Sequence, residues 1–168
     1  MIPVSLYLFI LIELFFVSMG DLRERKIPNI WALMNIAVYC FVFFFFPTFY
    51  DFNLKAMLFP MAFIGVGFVL FVFKIMGGGD SKFLASLFLI IPVKFQDKMF
   101  HYLILTTFLI GITFLIRSIW IHRKKLQLSF QRRDINGIKE CFGSKFAYAP
   151  VVLISWVYLG WDYRKIFF

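Results

Sequence analysis

The sequence predicts an all-α membrane protein, a bundle of about six transmembrane helices. Apolar residues make up 62% of its 168 residues and the mean hydropathy is +0.85, whereas soluble domains are about 45–50% apolar. A soluble domain of this length has too little interior to bury so much apolar surface. Lipid must therefore contact much of the chain, and the apolar residues occur in runs that suit membrane helices.

Six apolar runs define the expected helices. Because a segment in lipid must satisfy its backbone hydrogen bonds internally, each run is predicted to be helical. The first run is long and lacks a basic region before it, so it is expected to be a retained helix rather than a cleaved leader. We expect a single domain over residues 1–168, with runs at approximately Ile2–Gly20, Ile30–Phe46, Met57–Met76, Phe83–Val93, Phe100–Ile121 and Phe146–Gly160.

The fourth run is too short to cross a bilayer without help. The stretch Asp80–Ile91 gives only about 18 Å of helix, against roughly 30 Å of hydrocarbon. We expect its cytoplasmic end to begin below the membrane surface, with the preceding glycines as non-helical backbone. Such backbone is tolerated at membrane depth only where it is buried in protein or lines a wet cavity, which is a first indication of a site.

Lysine and arginine are unevenly distributed between the loops. One set of alternating loops carries Arg23, Lys82, Arg123 and most of the other cations, so this side is predicted to be cytoplasmic. Membrane topology thereby accounts for the net charge of +9, and we expect no nucleic-acid partner. The long polar loop, about residues 122–145, is predicted to be cytoplasmic and can include an amphipathic helix on anionic lipid.

Two aspartates follow apolar runs on this same side. Asp21 follows the first run, and Asp80 follows the third after Gly77, Gly78 and Gly79. If the first and fourth helices pack together, the two carboxyls can meet and share one proton. The ionised partner can then deprotonate a water molecule while the protonated partner donates to a carbonyl oxygen. The glycines remove side chains, so an extended peptide backbone could approach closely.

Each acidic residue also has an ordinary structural interpretation. Asp80 opens a helix and can serve as its N-terminal cap, and Asp21 can simply be solvated at a helix end. Glu13 lies within the first run, where an acid is costly and often functional; we favour a protonated side chain hydrogen-bonded between helices. Cys40 and Cys141 form no metal-binding pattern with each other or with the two histidines, so we expect no metal and no cofactor.

Three motifs stand in order along the chain: Asp21 with Lys26-Ile27-Pro28-Asn29, then Gly77-Gly78-Gly79-Asp80-Ser81-Lys82-Phe83-Leu84-Ala85, then Ala147-Tyr148-Ala149-Pro150. Together they resemble the motifs of the type IV prepilin peptidases, the GxGD-type membrane aspartyl proteases. The resemblance implies that Asp21 and Asp80 are the two catalytic aspartates. It assigns substrate-binding or site-shaping roles to Gly77, Gly78, Gly79, Lys82, Pro28 and Asn29.

The resemblance also implies a substrate and a location. Members of this family remove a short basic leader, commonly ending in Gly, from pilin-like precursors just before the precursor's hydrophobic helix. The active site would face the cytoplasm from the plasma (inner) membrane. The chain is similar to the short forms that serve Flp-type tight-adherence pili or to archaeal preflagellin peptidases, because Asp21 follows the first helix directly and no four-cysteine zinc segment intervenes. No glycine-rich nucleotide loop is present, so we expect peptidase activity without N-methyltransferase activity.

Two other functions stay open. An intramembrane protease of the presenilin or signal-peptide-peptidase type shares the Gly-x-Gly-Asp chemistry but cuts within a transmembrane helix, whereas Asp21 lies outside an apolar run. A non-enzymatic membrane subunit or small transporter would use acids at mid-membrane for ion or proton binding, and only Glu13 fits that position.

Overall fold

The computed structural model describes residues 4–45, 54–73, 76–131 and 147–162, and the side chains of all of these except 124–131. These ranges contain no strand, and the predicted all-α class is confirmed. They contain six helices: α1 (Val4–Glu24), α2 (Asn29–Phe45), α3 (Leu54–Val72), α4 (Gly78–Ile90), α5 (Val93–Gln131) and α6 (Ala149–Asp162).

Three of these helices are long and apolar enough to cross a membrane, namely α1, α3 and the Val93–Arg123 part of α5. The chain is therefore a helical membrane protein, but the prediction of about six transmembrane helices overestimates the number of spans that length and composition support. The helices α2 and α6 are also apolar but are shorter than these three, with 17 and 14 residues. The helix α4 has 13 residues, about 20 Å, because the extended residue Gly77 precedes it and Pro92 follows it closely.

The short helix α4 is enclosed by protein. Its buried side chains include Phe83, Leu87 and Phe88, each with no exposed surface. Both α2 and α3 pack against α4, while α6 packs against α1 and α5. A shared apolar core joins these two helix groups, since Ile10 and Leu14 of α1 belong to the same buried cluster as the α4 side chains. A helix in this position needs no lipid-spanning length, because neighbouring helices cover it.

The helix α5 continues beyond the apolar run that predicted it. It runs to Gln131, with a departure from helical geometry at His122 (φ −100°, ψ 15°). The first part of the predicted polar loop, from His122 to Gln131, is therefore helical. The rest of that predicted loop lies outside the described residues.

A glycine sets the distance between α3 and α4. A Cβ atom at Gly67 would overlap the Ser81 side chain, whereas one at Gly65 would meet nothing within 4 Å. Gly67 thus permits close approach of the two helices, as small residues do in membrane helix packing.

We expect Gly67→Ala to lower the free energy of unfolding by about 1–3 kcal/mol, because the added methyl group overpacks the α3–α4 contact. Gly65→Ala is the matched control in the same helix and should be neutral or slightly stabilising, since alanine favours helix and has open space there. Thermal unfolding in detergent micelles measures both. Equal melting temperatures for the two variants would contradict this account of the packing.

Candidate active site

Asp21 lies in the last turn of α1 and is 3% exposed. Its binding partner is the N-terminus of α6. The Val151 and Val152 N–H groups donate to the Tyr148 carbonyl at 3.0 and 3.3 Å, and Pro150 has no N–H. The Ala149 N–H is therefore the free donor of this turn, and it donates to Asp21 Oδ2 at 2.9 Å. The positive end of the helix dipole adds to the stabilisation of a carboxylate there.

Asp80 lies at the N-terminus of a different helix. It is the third residue of α4, and its Oδ2 accepts a hydrogen bond from the Gly77 N–H at 3.2 Å. The Asp80 N–H donates in turn to the Gly77 carbonyl at 3.2 Å. The N-cap is therefore Gly77 and not Asp80, and the Asp80 side chain, from the third position of the helix, bonds back to the N-cap N–H. Because this exchange closes the first turn, Gly78 and Gly79 are helical, and only Gly77 (φ −71°, ψ 142°) has the extended backbone expected for the glycine run.

The charge of Asp21 acts electrostatically on Asp80. Burial and the negative charge of Asp21 raise the pKa of Asp80, while the hydrogen bond from the Gly77 backbone opposes this. The nearby phenol of Tyr148 also has a raised pKa, from burial and from the charge of Asp80, with the Thr107 hydrogen bond acting in the opposite direction. Asp80 therefore lies within electrostatic range of both the Asp21 carboxyl from α1 and the Tyr148 phenol from the segment before α6.

A cavity of about 970 Å³ opens beside Asp80. Its walls come from the segment between α1 and α2 and from the start of α4, and Asp21 is not among its lining residues. A Cβ atom at Gly79 would overlap the Ile27 carbonyl oxygen, so this glycine lets the two walls approach. The lining includes five of the six residues predicted to shape the site: Pro28, Asn29, Gly77, Gly78 and Gly79.

Lys82, the sixth of these residues, lies elsewhere. It lines a separate groove between α2, α3 and α4. Two residues along a helix correspond to a rotation of about 200°, so Lys82 points away from Asp80 and its cavity. Tyr148 and Ala149 belong to the third sequence motif, but no role in the site was predicted for either residue. The signal available for them was Pro150, since proline is typical of the first turn of a helix and helix N-termini bind anions.

The hydrogen-bond partners of the two carboxyls determine which of their oxygens are available. Among the residues that the structure describes, no three His, Cys, Asp or Glu side chains gather at one point. Oδ2 of each aspartate is used by a backbone N–H, and in the same ranges no hydrogen bond reaches Oδ1 of either one. Two coupled carboxyls with such oxygens can share a proton and bind a water molecule.

These features describe a helical membrane protein with a buried aspartate at the end of α1 and a second aspartate that lines a cavity at the start of α4. The model of the type IV leader peptidase family matches residues 8–117 of the chain, a range that includes Asp21, the glycine run and Asp80. Because the match covers about two-thirds of the sequence, the chain belongs to this peptidase family. No curated protein and no solved structure matches the chain.

A second polar group lies deeper along the same face of α1. Glu13 is 3% exposed, and the side chain of Asn35 from α2 adjoins its carboxyl. The Asn35 amide nitrogen donates to Ser86 Oγ of α4 at 3.3 Å. Within the described ranges, neither oxygen of Glu13 nor Oδ1 of Asn35 has a hydrogen-bond partner. If the Glu13 carboxyl carries a proton, it can donate to Oδ1 of Asn35, which would give one oxygen of each side chain a partner and link α1 to the group formed by α2 and α4.

We expect Asp21→Asn to lower the pKa of Asp80, because a neutral amide removes the charge that favours the protonated carboxyl. A hydrophobic carbodiimide reacts with protonated carboxyls. The pH at which half of Asp80 is labelled, measured by mass spectrometry, should therefore be lower in Asp21→Asn than in the wild type. Glu24→Gln is the control, since Glu24 lines the same cavity but is not among the causes of the Asp80 shift. A midpoint that does not move in Asp21→Asn would refute the coupling.

We expect Glu13→Leu to lower the free energy of unfolding by about 1–3 kcal/mol, because it removes a carboxyl that, when protonated, can donate to the buried Asn35 oxygen. Glu13→Gln should retain most of the stability, since its amide can still donate. The double variant Glu13→Leu with Asn35→Leu should recover part of the loss by removing both polar partners. Thermal unfolding of the three variants checks this, and the idea fails if Glu13→Leu unfolds like the wild type.

Proposed function

We propose that the chain is an aspartyl endopeptidase that removes the leader peptide from pilin-like precursors. The observation that carries the proposal is the electrostatic coupling of Asp21 and Asp80, each held by a helix N-terminus, in a member of the type IV leader peptidase family. Burial and the charge of Asp21 both raise the pKa of Asp80, and catalysis by paired carboxyls requires one carboxyl that retains a proton.

In the proposed mechanism, the pair activates one water molecule. The ionised carboxyl accepts a proton from water as the water oxygen bonds to the scissile carbonyl carbon. The protonated carboxyl donates its proton to the carbonyl oxygen, giving a neutral tetrahedral intermediate. When the carbon–nitrogen bond breaks, the leaving nitrogen takes up the proton of the pair. One hydroxyl of the intermediate returns its proton to the pair as the new carboxyl group forms, so the site regains its single proton. The titration belongs to the pair, so neither aspartate is assigned a fixed role.

The cavity beside Asp80 is the proposed site for the leader. The glycines on its wall leave room for an extended backbone, and Glu24 and Asp80 offer negative charge to a basic leader. Arg25 and Lys26 line the same cavity, so its electrostatic preference is mixed. We place this cavity at the cytoplasmic face of the plasma (inner) membrane, on the basis of the loop charges, and we propose peptidase activity without methyl transfer.

We expect Asp21→Asn and Asp80→Asn each to lower the rate of leader cleavage by at least about 100-fold, because each removes a proton-transfer group. Asparagine retains an oxygen that can accept the backbone N–H, so each helix N-terminus keeps its hydrogen bond. Cleavage of a co-expressed pilin-like precursor is followed by its shift on gels and by N-terminal sequencing.

The control for this assay is Asp97→Asn, which changes an exposed aspartate on α5 outside the cavity. It should cleave near the wild-type rate. All variants must insert in the membrane at comparable levels. Persistent cleavage by either Asp21→Asn or Asp80→Asn would overturn the proposal.

A non-enzymatic membrane subunit or transporter is the second candidate, and the burial of Glu13 within α1 is the observation that favours it. This function predicts that Glu13→Gln loses activity while both aspartates are dispensable. The cleavage assay with these three variants separates the two candidates.

A further inference from the structure

A groove of about 510 Å³ lies between α2, α3 and α4. Its walls are apolar and face outward: Ile30 and Leu33 are each 63% exposed and Ile64 is 57% exposed. Its polar residues include Asn29 and Lys82, which lie near the N-terminal ends of α2 and α4. We call this feature the α2–α4 groove.

The α2–α4 groove shares a lining residue with the cavity beside Asp80. Asn29, the first residue of α2, lines both the cavity that contains Asp80 and the α2–α4 groove. From Asn29 the groove follows α2 to Ile36, a distance of about 10 Å or two helical turns. A chain that leaves the cavity past Asn29 therefore passes directly onto an apolar, lipid-facing surface.

Small side chains line the groove between its apolar walls. Ala32, Ala85 and Ser86 line it and are all buried. In membranes, small residues allow the backbones of two helices to approach closely, and helix association depends on this packing. A lipid chain has no such requirement, so these side chains favour a helix as the occupant.

We propose that the α2–α4 groove binds the first turns of the precursor's hydrophobic helix, the segment that follows the scissile bond. This inference rests on the proposed function and names the surface that positions its substrate. With the helix in the groove, the polar residues before it lie beside Asn29 and the scissile bond lies in the cavity near Asp80. The enzyme then recognises the boundary at which the precursor becomes apolar, and Leu33, Ile36 and Ile64 determine which hydrophobic segments fit.

The first test is disulfide crosslinking. The starting protein carries Cys40→Ser and Cys141→Ser and must still cleave the precursor. Leu33→Cys should crosslink to a cysteine in the first turns of the precursor's hydrophobic segment. Leu109→Cys, at an exposed position of α5, is the matched control and should not. Because crosslinking requires binding but not cleavage, the same pair is also tested with Asp80→Asn, which separates failure of the groove from failure of the proposed function.

The second test fills the groove. Ile36→Trp should raise KM for the full precursor about tenfold with little change in kcat, the pattern for lost substrate binding. Leu109→Trp should leave KM unchanged. If the wild type cleaves the precursor while Leu33→Cys crosslinks no better than Leu109→Cys, or while Ile36→Trp has a normal KM, the inference is wrong. Loss of co-purified phospholipid in Ile36→Trp at unchanged KM would identify the groove as a lipid site and would equally overturn it.

Discussion

The hydrogen bond from the Ala149 N–H to the Asp21 carboxylate is the interaction on which the site depends. It joins the end of α1 to the start of α6, and α6 packs in turn against α1 and α5. Asp80 accepts a hydrogen bond from the Gly77 N–H at the start of its own helix α4, and α4 packs against α2 and α3. Each helix group thus contributes one carboxyl, bound to the N-terminus of a helix from that same group.

This arrangement offsets the cost of placing two acids together. Burial and mutual repulsion both favour protonation, as the raised pKa of Asp80 reflects. A helix N-terminus favours a nearby carboxylate by about 0.3–1 kcal/mol, and by up to about 2 kcal/mol where the geometry is partly buried. With one such terminus for each aspartate, the site can hold a single negative charge without a bound cation. The same hydrogen bonds orient the carboxyls, so the capping role and the proposed chemical role are compatible.

Much of this site could be predicted from the sequence because the signals were local. The apolar runs predicted helices, and the positions of Asp21 and Asp80 after two such runs predicted that their carboxyls could meet. The number of helices that span the membrane could not be inferred from the apolar runs alone. The apolar character of α4 reflects burial among helices as well as contact with lipid, and composition alone does not distinguish the two.

Other features depend on tertiary structure or on rotation about a helix axis. No local pattern indicates that the Ala149 N–H binds a carboxylate from α1, because that contact joins distant parts of the chain. Helical periodicity could have predicted the direction of Lys82. Asp80 and Lys82 are two positions apart, which is a rotation of about 200° around the helix, so they cannot lie on the same face. The glycine run was expected to be irregular, yet the Asp80 carboxylate closes a helical turn over Gly78 and Gly79.

The separation between Asp21 and Ala149 has a consequence for biosynthesis. During translation, the first acid of the pair enters the membrane long before the segment that supplies its backbone donor has been made. A nascent chain that lacks α6 contains both aspartates but cannot form the bond that orients one of them. The Asp21 carboxyl therefore cannot adopt its hydrogen-bonded position until the segment that begins α6 has been made.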